Sequence, residues 1–141
     1  MSPLAFGTAT VVTTSGKVTA ANRLQGTPTR NAPKFIAIGN GATTAARTAA
    51  VADTALSAER ETRATGTESI VTVTNTNDAY QTQGTITATT GYQTSGANAP
   101  IDEAATFDAS SVGNIDISAT FTSIGLASGD SLQLTFKHQM T

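Results

Sequence analysis

From Glu68 onward, hydrophobic and polar positions alternate with a period of two, and this pattern predicts β structure. Tyr80, Thr82, Gly84, Ile86 and Ala88 alternate with Gln81, Gln83, Thr85 and Thr87. Ile101, Glu103, Ala105 and Phe107 make a second run. Ile115, Ile117, Ala119 and Phe121 make a third, with Asn114, Asp116, Ser118 and Thr120 opposite. Ile124 falls out of phase, which predicts a bulge or bend near Thr122-Ser123. The turn Ala127-Ser128-Gly129-Asp130 leads into Leu132, Leu134 and Phe136, the clearest strand of the chain. Short strands separated by turn clusters at this spacing predict a sandwich or barrel and exclude a βαβ fold.

The first half reads differently. Residues 1–14 predict an extended arm: Pro3 cannot join a central ladder, and the small and apolar residues show no helical period. Residues 15–141 are expected to form a single domain. A short helix is predicted from a cap at Thr14 or Ser15, with Val18, Ala21 and Leu24 on one face and Gly26 just past its end. Pro28 and Pro33 bracket a loop before a strand at Phe35–Ile38. The Ala-rich stretch from Ala42 to Glu61 has no clean apolar stripe and reads as loop, with a turn or two of helix capped by Asp53 over "TALSAE".

The stretch Lys34–Thr44, "KFIAIGNGATT", has the outline of a phosphate-binding loop and fails as one. A dinucleotide fingerprint requires a third glycine where Thr44 stands, and an acid about 20 positions on, whereas Asp53 comes too early. A P-loop requires Gly-Lys-Ser/Thr, and no lysine lies between Lys34 and Lys137. The glycines predict a sharp turn that uses positive φ.

Composition narrows the class. Charged residues are 13% of the 141, about half the usual share of roughly 25%, and about a fifth of the chain is threonine. A surface of Thr, Ser, Asn and Gln costs less to desolvate than one of Lys and Glu, so a partner can cover it without stranding charges. A net charge of −2 supplies no basic field for a nucleic acid. Without cysteine there is no disulfide framework, thiolate nucleophile or Cys-based zinc site. The first residues lack the basic region of a secretory signal, and no apolar run approaches the length of a membrane span, so a soluble protein is expected.

Candidate chemistry is sparse. His138, the sole histidine, is in step with Leu132, Leu134 and Phe136 and reads as a strand-end ring packed on a core edge rather than a catalytic base. Asp102, Glu103 and Asp108 lack the spacing of a calcium loop. Alternation puts Asp102 and Glu103 on opposite faces, and solvated surface positions are expected for all three. Asp53, Glu59, Arg60, Glu61 and Arg63 are the densest charge cluster, suited to pairing across a subunit boundary or to tying a loop to the sheet within the chain. Tyr80 and Tyr92 are the only tyrosines that a sugar-binding platform could use, and Tyr80 also fits the inner face of a sheet. No catalytic, metal-binding or cofactor-binding residue is expected, and no enzyme activity.

Six segments in order resemble a family of small tailed-bacteriophage structural proteins. They are the "TxxGKxxxANRLxG" helix (Thr13 to Gly26), the strand ending Gly-x-Gly (Phe35 to Gly41), and "DTALxxExxxR" (Asp53 to Arg63). "NDxYQxxGTITAT" (Asn77 to Thr89), "xxEAxxFDA" (Ile101 to Ala109) and "LASGDSLQLTFK" (Leu126 to Lys137) complete the set. This chain has Glu103-Ala104-Ala105-Thr106-Phe107 where relatives carry Glu-Ala-Gly-Leu-Phe. The resemblance implies a jelly-roll-like antiparallel β-sandwich in a virion, with the extended arm and one or two short helices. The expected role is a capsid decoration (cement) protein bound as a homotrimer to the outer surface of the head, after synthesis in the host cytoplasm. Its expected partners are the major capsid protein and further copies of itself, with neither nucleic acid nor membrane. A tail, collar or fibre component is the first alternative, and a secreted carbohydrate-binding module the second. The expected interface residues are Pro3, Leu4 and Phe6 of the arm, with Leu4 and Phe6 as anchors on a neighbour's sheet edge, together with Asp53, Glu59, Arg60 and Arg63.

Overall fold

The computed structural model describes residues 9–26 and 29–140. Among these, the element order is β1 (Ala9–Val12), α1 (Thr14–Gln25), β2 (Phe35–Gly39), β3 (Glu59–Thr65), β4 (Thr67–Val71) and β5 (Ala79–Thr87). A 3₁₀ turn (Gly96–Asn98), β6 (Ile101–Phe107), β7 (Ile115–Ile124) and β8 (Ser131–Gln139) follow. All ladders are antiparallel and form two sheets, ordered β1-β7-β6-β2-β3 and β4-β5-β8. The chain is mainly β and sandwich-like, with five strands facing three rather than the even halves of a regular jelly roll. Pro3, Leu4 and Phe6 lie outside the described residues. Of the expected arm, Ala9–Val12 pair with Ile117–Thr120 at the edge of the larger sheet.

The alternating runs of β5 and β8 set the inner face of the smaller sheet. Thr82, Ile86, Leu132 and Phe136 are buried there, while Gln83, Thr85, Thr87, Gln133 and Thr135 are exposed. The larger sheet answers with Ile36, Ile38, Ile101, Ala104, Ile117, Ala119 and Phe121, and these residues form one core. Its other face holds a second cluster of Ala37, Leu56, Ala105, Phe107 and Ile115, with Phe35 against it. Leu56 comes from the irregular 40–58 loop, which lies over this face. Strand β6 is therefore buried along its whole length.

Two irregularities divide the residues of β6 and β7 between these clusters. Ile101 pairs with Ile124 and Glu103 with Thr120, so β7 carries extra residues at the predicted bend near Thr122-Ser123. A second shift, between the Ala105–Ser118 and Phe107–Ile115 pairs, moves Ile115 to the opposite cluster from Ile117. Strand β3 was not legible in the pattern. It is an edge strand of alternating charge, and its ladder shifts around Glu61, which sits at φ 60.

The helix begins one residue earlier than expected. Thr13 is the cap: its Oγ1 accepts from the Gly16 N–H at 3.0 Å and donates to the Ile115 carbonyl at 2.6 Å. Gly26, at φ 80, closes the helix by donating to the Arg23 carbonyl. The expected apolar face is wrong. Gly16 and Thr19 face the sheet, while Val18 and Ala21 are exposed and Leu24 is 88% exposed. Close approach to β7 is the reason: a Cβ on Gly16 would lie 2.5 Å from the Asp116 carbonyl oxygen and 2.9 Å from its Cα. The helix over "TALSAE" is absent, and Asp53 instead accepts from the Ala50 N–H at 3.0 Å behind it.

The glycine bracket after β2 is a turn, but for a different reason than expected. Neither Gly39 nor Gly41 has positive φ. A Cβ on Gly39 would lie 2.5 Å from Glu103 Oε1 and 2.6 Å from the Ala58 carbonyl, and one on Gly41 would lie 2.8 Å from both the Ser57 and Ala58 Cβ atoms. The glycines let the 40–58 loop close onto the sheet. Gly39→Ala is expected to cost about 1–3 kcal/mol by overpacking, read from the urea midpoint. A midpoint equal to wild type would show that this approach is not tight.

Candidate functional site

The most developed polar site lies under the 40–58 loop. Glu103 is 0% exposed and accepts from four groups: Arg47 Nη2 at 2.7 Å, Arg47 Nε at 3.2 Å, the Ser57 N–H at 3.0 Å and the Ala58 N–H at 2.8 Å. Arg47 Nη1 donates to Asp53 Oδ2 at 2.6 Å, and Ser118 Oγ donates to the same oxygen at 2.5 Å. One residue earlier on the same strand, β6, Asp102 accepts from the Ala42 and Thr43 N–H groups at 3.0 and 2.7 Å. Asp102 and Glu103 thus both bind the same loop, because the ladder irregularity between Ile101 and Glu103 interrupts the alternation expected to separate them. The solvated positions expected for Asp102, Glu103 and Asp108 are overturned: all three are buried. Asp108 accepts from the backbone and side-chain nitrogens of Asn114.

Electrostatics follow from this packing. Burial, the largest influence on Arg47, works against its charge, but the hydrogen bonds and charges of Glu103 and Asp53 outweigh it and raise the pKa. Burial likewise works against ionised Asp53, yet Ser118, the Ala50 N–H and Arg47 hold its carboxyl below the usual range. Glu61 is lowered in the same manner, burial being outweighed by donors from Tyr92 and Thr89. A lowered folded pKa stabilises the fold above the unfolded carboxylate value of about 4, and that stability is lost as pH falls through the folded value. The thermal midpoint is therefore expected to drop on acidification below about pH 4, with a shallower drop in Asp53→Asn. An identical acid slope in that variant would remove Asp53 from the response.

The expected interface charges are engaged within the chain and in separate places. Asp53 belongs to the network with Arg47 and Ser118. Arg63 pairs with Glu59 at 2.6 and 2.9 Å, donates to the Ala109 and Val112 carbonyls, and lies 3.5 Å over the Phe107 ring. Arg60 donates to Asn40 Oδ1 at 2.9 Å, and Asn40 Nδ2 donates to the Ala97 and Ala99 carbonyls. Arg47 went unnoticed in the sequence, since nothing near it in the chain signals a partner 56 positions away.

Two surfaces remain. The outer face of the smaller sheet carries cross-strand rows Thr67–Gln83–Thr135 and Ser69–Gln81–Lys137, followed by Thr85–Gln133 and Thr87–Ser131. Gln83 Nε2 donates to Thr135 Oγ1 at 2.9 Å, and the Thr87 and Ser131 hydroxyls share a bond at 2.8 Å. Lys137 is the single charge among these positions. On the opposite face of this sheet, beside α1, lies a cavity of about 370 Å³ lined by Leu24, Pro33, Tyr80, Asp116, His138 and Met140, among others. His138 Nδ1 lies 2.9 Å from Asp116 Oδ1, and Asp116 Oδ2 is buried without a hydrogen-bond partner. Tyr80 is half-buried on this inner face, donates to Glu68 Oε1 at 3.1 Å, and has its pKa raised, chiefly by burial. Tyr92 is buried and donates to Glu61 at 2.7 Å, and burial, then Glu61, pushes its pKa up to about 12. The Tyr92 ring, 5% exposed, therefore has no open face, whereas Tyr80 lines the cavity. Among the described residues, no group of three or more His, Asp or Glu side chains is arranged to hold a metal ion, and no helix is long and apolar enough to cross a membrane.

No protein-family model, curated protein or solved structure matches the chain.

Proposed function

We propose that this chain is a structural protein of a tailed-phage virion: a non-enzymatic capsid decoration protein that binds the outside of the head as a homotrimer and stabilises the shell. The observation that carries the reading is the outer face of β4-β5-β8, whose hydroxyl and amide rows hold only one charge, Lys137. Side chains of this kind exchange water for a partner's hydrogen bonds at low cost, whereas buried unpaired charges would oppose association. The resemblance of six ordered segments to phage structural proteins supports the same reading. So does the inward use of the charges: Arg47, Asp53, Glu103 and Arg63 all hold loops, which leaves this face with Lys137 as its single charge.

Copy number in the intact particle tests the role. A decoration protein is expected at the scale of the capsid's own subunits and on tailless, DNA-filled heads. A low copy number confined to purified tails would instead make the chain a tail, collar or fibre component.

A further inference from the structure

We infer that the open edge of β4, together with the cavity beside it, receives residues 2–8 of a second copy of this chain as an added strand. This deepens the homotrimer proposed above and rests on that reading.

The sheet edges are not equally protected. Strand β3 bears Glu59, Arg60, Glu61 and Arg63, and a left-handed residue at Glu61 disrupts its ladder; both devices blunt an edge. Strand β8 carries Lys137. Strand β4, Thr-Glu-Ser-Ile-Val, has no proline, lysine or ladder shift. Its one charge, Glu68, is engaged by the Tyr80 hydroxyl at 3.1 Å and lies 3.9 Å from Lys34 Nζ.

The surface next to this edge is apolar and uncovered. Ile70 is 61% exposed, and Leu24 and Met140, which line the cavity, are 88% and 51% exposed. Register places Ile70, Tyr80 and His138 in one cross-strand row, and His138 meets Asp116 at the cavity wall. A strand added to β4 would extend this row, because alternate side chains of an edge strand fall on one face of the sheet. Backbone hydrogen bonds then supply affinity, and the apolar cavity selects the side chains.

Residues 2–8 have the chemistry for that position. The sequence Ser-Pro-Leu-Ala-Phe-Gly-Thr has no charged side chain and carries Leu4 and Phe6 two positions apart, on one face of an extended strand. In the register where Leu4 and Phe6 bond to the β4 backbone, Pro3 points its missing N–H away from the ladder. Proline is tolerated there, and it prevents a further strand from adding. Seven extended residues span about 24 Å, more than the five of β4. In each copy the segment leads into Ala9–Val12, which lie at the edge of the larger sheet, so its C-terminal end is held at that margin.

The chain has no cysteine, so introduced cysteines report position without background. Full-length Thr8→Cys is mixed with full-length Thr67→Cys and treated with a short bismaleimide. The mixed dimer is expected at least about tenfold above that of Thr8→Cys with Val112→Cys, an exposed control, because docking raises the local concentration of the paired thiols. Adding Leu4→Asp and Phe6→Asp to the Thr8→Cys chain is expected to abolish the product, and in the otherwise wild-type chain to reduce the solution mass to a monomer. Equal yields with the Val112→Cys control would overturn the inference, as would an oligomer indifferent to the two aspartates. A chain bearing both Thr8→Cys and Thr67→Cys that closes on itself as a monomer would assign the segment to its own domain and overturn it equally. Particle occupancy is scored separately: a monomer that still decorates heads refutes the docking alone, and a cross-linked oligomer missing from particles refutes the virion role alone.

Discussion

Glu103→Ala is expected to destabilise the domain by about 3–5 kcal/mol, the cost of breaking a buried, hydrogen-bonded ion pair from one side. The carboxylate is fully enclosed and is the common acceptor for Arg47, the Ser57 N–H and the Ala58 N–H. Alanine removes the acceptor and leaves the donor groups of all three residues facing an apolar gap beside Ala105 and Gly39, too confined for each to find water. Arg47 retains Asp53, so its charge is not wholly stranded, but the loop end at Ser57–Ala58 loses its attachment. Equilibrium denaturation in urea measures the loss. A double-mutant cycle with Arg47→Ala separates the ion pair from the backbone bonds, and the double variant is expected to fall little below Glu103→Ala alone. A loss below about 1 kcal/mol for Glu103→Ala would mean that the loop is held by its apolar contacts and not by this carboxylate.

Phe107→Ala is expected to cost a comparable amount, about 3–5 kcal/mol, through a different mechanism. Phe107 lies at the far end of the same face of β6, packed with Ala37, Leu56, Ala105 and Ile115, and the Arg63 guanidinium lies over its ring. Truncation opens a cavity that neighbouring small residues cannot fill, and it removes a cation–π contact worth about 0.5–1 kcal/mol. Phe107→Leu, which keeps most of the volume, is expected to recover more than half of the loss. Because Leu56 joins the Phe107 cluster while Ser57 and Ala58 bind Glu103, the two sites hold adjacent parts of one loop. The double variant Glu103→Ala/Phe107→Ala is therefore expected to lose less than the sum of the singles. Strict additivity would show that the loop is released in two independent pieces.

Two of the three strands of the smaller sheet, β5 and β8, could be read from the sequence almost residue by residue, whereas β4, exposed along most of its length, shows no alternation. One face of the sheet is solvated and the other packs on the core, so the alternation along β5 and β8 maps directly onto exposed and buried positions. The end of α1 at Gly26 was legible, and its start to within one residue, since a capping hydroxyl and a terminal glycine act within a few residues of the chain. The turn before β8 was equally clear: Gly129 adopts φ 91 and Asp130 accepts from the Ala127 N–H. The charged edge strand β3 was not legible, because its pairing to β2 replaces an apolar stripe with alternating acids and bases.

The sequence by itself determined the β class, the inner and outer faces of β5 and β8 and the weak charge of the outer one. All of these follow from local period and composition. Tertiary structure decided that Glu103 is buried, that Arg47 reaches it across 56 positions, that His138 meets Asp116 across 22, and that Gly16 and Gly39 are small for clearance. A local pattern records which side of an element is apolar. It does not record what lies on the other side, and a carboxylate inside a fold is stabilised only by donors that the rest of the chain brings to it.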